Sequence, residues 1–223
     1  MKRLKRNFLR TIPVLTGYLV LGASFGILMQ SKGYGALWSL AMSTVVFAGS
    51  MQFVAVDLLA GAASLITAAL ATLMVNARHL FYGVSMAERY RNTGRAKPYL
   101  IFGLTDETYS LVCSDETLTN RDLLQITLLD QLYWVTGSLL GGVLGALIPW
   151  DFRGVDFALT ALFVSIFTDQ WMKTRDHLPA IVGVGITAAC LLIFGADGFL
   201  IPSMLGITAA LAVLKLARKE AAA

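Results

Sequence analysis

Polar side chains that could bind a ligand or carry a proton occur inside an apolar stretch between Ser43 and Met86. They are the hydroxyl group of Ser50, which follows Gly49, the amides of Gln52 and Asn76, the carboxylate of Asp57, the guanidinium of Arg78 and the imidazole of His79. Because such groups are costly to bury in hydrocarbon, they usually face a protein interior or a water-filled path. The stretch therefore predicts a functional site. Hydrogen bonding that only joins helices is the structural alternative.

Acidic residues further along the chain complement this set. Arg78 could bind a carboxylate through two parallel hydrogen bonds, and free N–H groups at the N-termini of broken helices suit the same anion. An ammonium group or a coupling proton could be held by Asp106, Glu107, Asp130 or Asp169. A zwitterion with an apolar side chain fits this combination. An internal salt bridge or snorkelling to the membrane interface is the alternative for Arg78, and a structural role is the alternative for His79.

These residues form two groups of candidates. The substrate-binding candidates are Gly49, Ser50, Gln52, Asn76, Arg78, Asp106 and Asp169. The proton-coupling candidates are Asp57, His79, Glu107 and Asp130. Ser50 with His79 could also suggest a serine hydrolase, but no second motif supports this pair and no enzyme is predicted. The cysteines have no metal-ligand spacing, and HExxH, Walker and GxGxxG motifs are absent from the sequence, so no metal, cofactor or ATP coupling is predicted.

Composition defines the surroundings of these residues. Of 223 residues, 57% are hydrophobic and 14% are charged, and the mean hydropathy is +0.68. Soluble domains usually have about 45–50% apolar residues. The chain is therefore predicted to be an all-α integral membrane protein with a single domain in the lipid bilayer. A basic nucleic-acid-binding arm is not favoured, because the apolar sequence begins directly after the basic residues 2–10.

The positions of basic residues predict a topology. Residues 1–10 and the loop 89–97 are both rich in Arg and Lys, and such segments stay in the cytoplasm. If the three intervening apolar stretches, at residues 11–29, 35–61 and 64–86, all crossed, the loop would lie outside. The stretch 35–61 is broken at Gly49, and each half is shorter than the about 20 residues needed to cross. We therefore expect this stretch to enter and leave the membrane on the same face. A continuous tilted helix is the alternative.

Five more apolar stretches follow, at residues 98–112, 123–148, 155–172, 178–194 and 199–216. The stretch 155–172 is interrupted by Thr168, Asp169 and Gln170, and treating it as re-entrant places the basic residues after it in the cytoplasm. The sequence thus predicts about six transmembrane helices and two re-entrant or broken segments, with both termini cytoplasmic. The acidic loop 115–122 is expected outside.

Glycine spacing indicates an internal repeat. Gly22, Gly26 and Gly35 have counterparts at Gly141, Gly145 and Gly154, each 119 residues later, and Ser50 corresponds to Asp169. The predicted units are residues 11–86 and 122–195, with a linking helix at 98–113 and a terminal helix at 198–217. Because the units would start on opposite sides, we expect an inverted repeat with substrate near the midplane.

Several motifs together resemble the AzlC family of branched-chain amino acid permeases. They are Gly-Ala-Ser-Phe-Gly (22–26), Phe-Ala-Gly-Ser-Met-Gln-Phe (47–53), Asn-Ala-Arg-His-Leu-Phe-Tyr-Gly (76–83), Leu-Thr-Asp-Glu-Thr-Tyr (104–109) and Gly-Val-Asp-Phe-Ala-Leu-Thr-Ala-Leu-Phe (154–163). The resemblance implies export of leucine, isoleucine and valine across the bacterial inner membrane, with methionine as a further candidate. It also implies a small membrane partner of the AzlD type. A channel-like pore and a non-transporting scaffold for such a partner are the alternatives.

Overall fold

The computed structural model describes residues 2–113, 115–147 and 174–221, together with single helical positions between 157 and 172. All regular structure in these residues is helical, in agreement with the predicted fold class. The chain divides into two compact units, Met1–Thr160 and Ala161–Ala223. Each is described by itself below.

The first unit contains eight helices in its described residues. They are α1 (Lys2–Ser31), α2 (Ala36–Val45), α3 (Gly49–Ala60), α4 (Leu65–Val75), α5 (Arg78–Tyr90), α6 (Lys97–Phe102), α7 (Asp106–Val112) and α8 (Asn120–Leu147). A 3₁₀ turn (Gly94–Ala96) precedes α6. The predicted stretches 64–86 and 98–112 are each divided into two helices, because the backbone leaves the helical path at residues 76–77 and 103–105.

The second unit contains α9 (Leu178–Gly198) and α10 (Leu200–Ala221), which pack against each other. Gly195 kinks α9 with a φ of 72°, a backbone conformation that glycine adopts at little cost. The re-entrant segment predicted at 155–172, including Asp169, lies outside the described residues except for single helical positions.

Among the described residues, α1 and the first 18 residues of α9 are long and apolar enough to cross a membrane. The pair α4 and α5, bent by 53°, is a third crossing element if the two helices form one span. The predicted number of about six spans is not established by these lengths and stays a prediction.

Helices α1 and α8 form the frame of the first unit and run parallel. Contacts advance together along both helices, from Asn7 beside Gln125 to Gly22 beside Trp134 and Ser138. A Cβ atom at Gly22 would lie 2.9 Å from the Trp134 carbonyl oxygen, and one at Gly137 would lie 2.8 Å from the Tyr18 carbonyl oxygen. Gly137, Gly141 and Gly145 of α8 therefore pack against α1 inside the subunit, where small residues allow the two backbones to approach closely.

The parallel arrangement corrects one expectation. An inverted repeat with an offset of 119 residues requires α1 and α8 to run in opposite directions, and they do not. Their N-terminal ends are joined by Arg6 and Asn7, which both donate to Asp122 at 3.1 and 2.9 Å. We call this side of the unit the arginine end, and the side of Ser31 and Ala36 the opposite end.

Helices α2 and α3 form a hairpin, here called hairpin A, whose connection is residues 46–48. Ala36 lies against Gly142 near the C-terminus of α8, whereas the Thr44 carbonyl accepts a hydrogen bond from Gln131, midway along α8. The chain then returns to the opposite end, where Asp57 pairs with Lys32 at 3.6 Å. Both outer ends of hairpin A therefore lie at the opposite end of the unit, and its tip is in the middle.

Helices α6 and α7 form a second hairpin, hairpin B, whose connection is residues 103–105. Tyr99 donates to Gln131 at the middle of α8, and Thr108 donates to Asp130 there. The start of α6 and the end of α7 both lie at the arginine end. Hairpin B thus enters the unit from the arginine end, the side opposite to hairpin A. Its helices have only 6 and 7 residues, so they reach the middle of the unit and do not cross it.

Hairpin B stands where one linking helix was expected at 98–113. It also places loop 115–122 on the same side of the unit as the N-terminal segment, whereas the two were expected on opposite sides. Asp115 forms an ion pair with Arg10, and its backbone carbonyl accepts a hydrogen bond from Arg89. The Asn120 amide donates to the Asn92 carbonyl. Loop 115–122 consequently lies beside the basic N-terminal segment. Hydrogen bonds from Thr117 and Arg10 lower the pKa of Asp115 to about 2, so this pair remains charged at neutral pH.

The glycine contact of α1 with α8 gives a stability prediction. Replacing Gly26 by alanine places a Cβ atom against the backbone of Ser138 and Gly142, so one helix must shift. Overpacking of this kind typically costs about 1–3 kcal/mol. We expect Gly26→Ala to lower the thermal unfolding temperature in detergent.

The matched control is Gly17→Ala on the same helix, because a Cβ atom there meets nothing within 4 Å. Alanine also has the higher helix propensity. The Gly17 variant should therefore unfold no earlier than the wild type. Equal unfolding temperatures for the two variants would show that the helices do not approach closely at Gly26.

Candidate functional site

The tips of the two hairpins meet in the middle of the first unit. The rings of Phe47 and Phe102, one from each hairpin, have centroids 6.3 Å apart. Three helices begin at this junction: α3 at Gly49, α5 at Arg78 and α7 at Asp106. The partial positive charges of these N-termini lie in the same region as the polar side chains. At the start of α5 the N–H groups of His79 and Leu80 already donate to the Asn76 and Ala77 carbonyl groups. The Thr105 hydroxyl caps α7 by accepting from the Thr108 N–H at 3.3 Å.

Arg78 connects the elements at the junction. Its Nη2 donates to Ser50 Oγ at 2.9 Å and forms an ion pair with Asp106 Oδ2 at 3.0 Å. The two charged side chains are only 31% and 25% exposed. A single guanidinium thus joins α3, α5 and α7, and each charge compensates the other.

Both partners of this ion pair retain unused buried atoms. Arg78 Nε and Asp106 Oδ1 have no hydrogen-bond partner among the described residues. The same is true of Gln52 Nε2, whose amide oxygen accepts a 2.6 Å hydrogen bond from the Trp134 indole. Buried polar groups normally find a partner, and each exception calls for an explanation such as a ligand or water. The junction therefore offers two free donors and one free acceptor beside opposite charges.

A second polar group lies beside the ion pair and joins α1, α7 and α8. Tyr18 OH is 2.7 Å from Thr105 Oγ1 and 2.7 Å from Glu107 Oε2. Thr105 in turn contacts Thr108 at 3.1 Å, and Thr108 donates to Asp130 at 2.8 Å. Asp130 is fully buried. Hydroxyl groups thus connect two carboxyl groups that belong to different helices.

Most of the predicted substrate-binding residues lie at the junction. Gly49 packs closely against the Trp134 ring, where a Cβ atom would be 2.9 Å from a ring carbon. Ser50 and Gln52 are buried on α3. Asn76 lies at the bend between α4 and α5, and its Oδ1 is buried without a partner among the described residues. Asp169 lies outside the described residues.

Two of the four proton-coupling candidates belong to one group, and the other two lie apart from it and from each other. Glu107 and Asp130 belong to the hydroxyl-linked group described above. Asp57 does not lie at the junction, because it is at the outer end of hairpin A with its side chain 73% exposed. His79 Nδ1 lies 3.2 Å from the Asn76 carbonyl oxygen, and the residue lines a groove of about 490 Å³ along α4, α5 and α6.

Four residues of the site were not among the predicted candidates: Tyr18, Thr105, Thr108 and Trp134. The threonines flank the acidic pair in Thr-Asp-Glu-Thr, so their spacing was a usable signal. Tyr18 and Trp134 lie in long apolar helices and are indistinguishable there from ordinary core aromatics. Their roles depend on contacts with distant parts of the chain.

Comparison with known proteins now adds to this geometry. A family model described as AzlC protein matches residues 13–148, which contain both hairpins and α8. The chain belongs to the AzlC family. The Bacillus subtilis protein named Branched-chain amino acid transport protein AzlC is 46% identical over 92% of this chain and 82% of its own length. No solved structure matches the chain significantly.

Other relatives of this AzlC family member are membrane proteins. An uncharacterized membrane protein of Helicobacter pylori is 37% identical over 96% of both chains. Inner membrane protein YgaZ of Escherichia coli is 28% identical over 82% of this chain and 79% of its own. Together with the apolar helices, these relatives establish that the chain is a membrane protein.

Contact between the hairpin tips can be tested by cross-linking. Cysteines at Phe47 and Phe102, with Cys113 and Cys190 replaced by serine, should react efficiently with a short bifunctional thiol reagent because the two rings are neighbours. A protease site in the loop 91–95 would cut the chain between the hairpins. We expect the cross-linked fragments to remain together on a denaturing gel.

A cysteine pair at Leu59 and Phe102 is the matched control, since Leu59 lies at the outer end of hairpin A. This pair should give little cross-linking with the same reagent. Equal yields from the two pairs, or none from the pair at the tips, would contradict the described junction.

Proposed function

We propose that the protein is a secondary transporter that exports branched-chain amino acids across the bacterial inner membrane. Its substrates would be leucine, isoleucine and valine, with methionine as a further candidate. The observation that carries the proposal is the Arg78–Asp106 ion pair at the junction of the two hairpins. The transport activity in the name of the 46% identical relative supports the same substrate class.

The ion pair is complementary to the head group of an amino acid. The carboxylate of the substrate would bind Arg78, whose guanidinium can form two parallel hydrogen bonds with it. The ammonium group would bind Asp106. Because one ion pair within the protein is replaced by two between protein and substrate, no charge is left uncompensated in the membrane interior. Ser50 and the free Nε2 of Gln52 provide further polar contacts.

Aromatic rings beside the charges provide an apolar surface for the substrate side chain. Tyr82 lies one turn after Arg78 on α5, and Tyr109 lies one turn after Asp106 on α7. The two rings stack with centroids 4.4 Å apart. A branched aliphatic side chain could pack on such a surface and gain about 0.8 kcal/mol for each buried CH₂ group.

The hairpins suggest how access to this site alternates. We infer that hairpin A and hairpin B are both re-entrant, from opposite faces of the membrane, with tips near the midplane. Broken backbone at this depth is tolerated where protein buries it or where it lines a cavity. Small movements of either hairpin would open the junction to one face, as in transporters whose binding sites lie at broken helices.

We assign the arginine end to the cytoplasm. The basic residues of the N-terminal segment and of loop 89–97 lie at this end, and basic segments remain cytoplasmic. The re-entry of hairpin A then accounts for the cytoplasmic loop after three apolar stretches. A cytoplasmic C-terminus and a small AzlD-type membrane subunit remain parts of this proposal.

Counterflow in proteoliposomes tests the proposal. Leucine loaded inside should accelerate entry of labelled leucine, because a carrier exchanges its substrate. A channel-like pore would show flux that preloading leaves unchanged, and a scaffold would show no flux. The measurement is made with and without the small membrane partner, so that a requirement for the partner is not taken for absence of transport.

Variants connect the flux to the ion pair. Removing one hydrogen-bonded charge typically costs about 1.5–3 kcal/mol, so Arg78→Met and Asp106→Asn should each reduce leucine counterflow by roughly tenfold or more. Asp57→Asn is the matched control, because it removes an exposed carboxylate from the same unit. Normal counterflow in the Arg78 and Asp106 variants would exclude the pair as the head-group site.

A further inference from the structure

The hydrogen-bonded chain between Glu107 and Asp130 has an unusual hydrogen balance. Five groups are joined in series by four hydrogen bonds: Glu107, Tyr18, Thr105, Thr108 and Asp130. Each link requires one hydrogen atom. Tyrosine and threonine hydroxyls contribute one hydrogen each, whereas an ionised carboxylate contributes none.

Three hydroxyl hydrogens cannot complete four links. If both carboxyl groups were ionised, one link would contain two oxygen acceptors facing each other at hydrogen-bonding distance with no hydrogen between them. The backbone N–H of Thr108 does not solve this problem, because it donates to Thr105 Oγ1 outside the four links. One additional proton completes the chain.

We propose that Glu107 and Asp130 share one proton through these three hydroxyl groups, and that this proton is the coupling ion. The role of this proton as the coupling ion rests on the transport function proposed above. The assignment separates Glu107 and Asp130 from the other acidic candidates, since Asp57 is exposed at the outer end of hairpin A.

The shared proton has two alternative positions. With the proton on Glu107, its O–H donates to Tyr18, Tyr18 donates to Thr105, Thr105 to Thr108, and Thr108 to ionised Asp130. With the proton on Asp130, every donor direction is reversed. A shift of one hydrogen along each of the four links converts the first arrangement into the second. The net change is transfer of one proton from Glu107 to Asp130, with no charge left on the hydroxyl groups.

The two ends differ in their surroundings. Glu107 is partly exposed, and it adjoins Asp106 of the ion pair. Asp130 is fully buried, and its Oδ1 has no partner among the described residues. The other titratable or charged groups around this hydrogen-bonded chain are Arg78 and Tyr82 on α5, Tyr99 on α6, Asp106 on α7 and Tyr133 on α8. When a substrate ammonium binds Asp106, it approaches Glu107, so substrate binding should favour the arrangement with the proton on Asp130.

Infrared spectroscopy of the full-length protein in lipid tests the shared proton directly. At neutral pH the wild type should show the carbonyl band of one protonated carboxylic acid that shifts on exchange into heavy water. Glu107→Gln and Asp130→Asn should each abolish this band. In either variant the amide N–H donates to the neighbouring hydroxyl and supplies the missing hydrogen, so the remaining carboxyl group becomes ionised. Asp57→Asn is the matched control and should retain the band.

Independent protonation gives a different result. If only one of the two carboxyl groups held its own proton, the band would disappear in one variant and survive in the other. That outcome, or the absence of the band from the wild type, would overturn the shared proton. Because two variants are compared and each must first elute as a monodisperse species, misfolding of one does not produce the expected pattern.

Transport in proteoliposomes tests the coupling. A pH gradient should drive leucine accumulation by the wild type and by Asp57→Asn, whereas Asp130→Asn should lose the dependence on the gradient. Counterflow without accumulation in the wild type would overturn the coupling role and leave the carrier function intact. Absence of wild-type counterflow, with or without the small partner, would instead refute the proposed function, while the infrared result would still decide the shared proton.

Discussion

The Arg78 guanidinium holds together the part of the structure where two hairpins end inside the protein. Membrane hydrocarbon offers no hydrogen-bond partners, so charges and broken backbone inside a membrane protein must be compensated by protein groups. Arg78 meets this requirement for three helices at once, through Ser50 on α3 and Asp106 on α7. Loss of either charge would leave the other uncompensated. The resulting destabilisation is larger than the net stabilisation that the ion pair provides.

The frame of α1 and α8 determines what surrounds this ion pair. Glycines bring the two backbones into contact, so the long side chains of these helices project toward the hairpins. Tyr18 and Asp130 contact hairpin B, and Trp134 contacts Gln52 of hairpin A. The same parallel packing thus supports both hairpins, hairpin A through the indole of Trp134 and hairpin B through a chain of hydroxyl groups.

Local sequence features predicted a substantial part of this arrangement. The short apolar halves of the stretch 35–61 indicated a break at Gly49 and Ser50. The structure has the break at residues 46–48, directly before these two residues, which begin α3. The cost of burying polar groups singled out Ser50 and Arg78, which are in contact. Asp106, a candidate partner for an ammonium group, pairs with Arg78. These inferences succeeded because they depend on length and polarity, which are properties of the chain itself.

The remaining features depend on contacts between distant residues. The ion pair of Arg10 with Asp115 places the acidic loop at the arginine end and makes residues 97–112 a hairpin, which their composition does not indicate. Glycine spacing identified the two helices of the frame but gave no information on their relative direction. Asp57 follows Ser50 by nearly two helical turns, so it shares a helix face with Ser50 but lies about 10 Å further along.

Stabilisation by leucine tests most directly whether the ion pair receives the substrate. A ligand at about 100 times its dissociation constant should stabilise the folded wild type by about 2.7 kcal/mol, measured from the unfolding temperature with and without leucine. The neutral double variant Arg78→Met with Asp106→Asn should unfold at a higher temperature than either single variant, because it leaves no lone charge, and leucine should not stabilise it. Equal stabilisation of the wild type and the double variant by leucine would contradict the account.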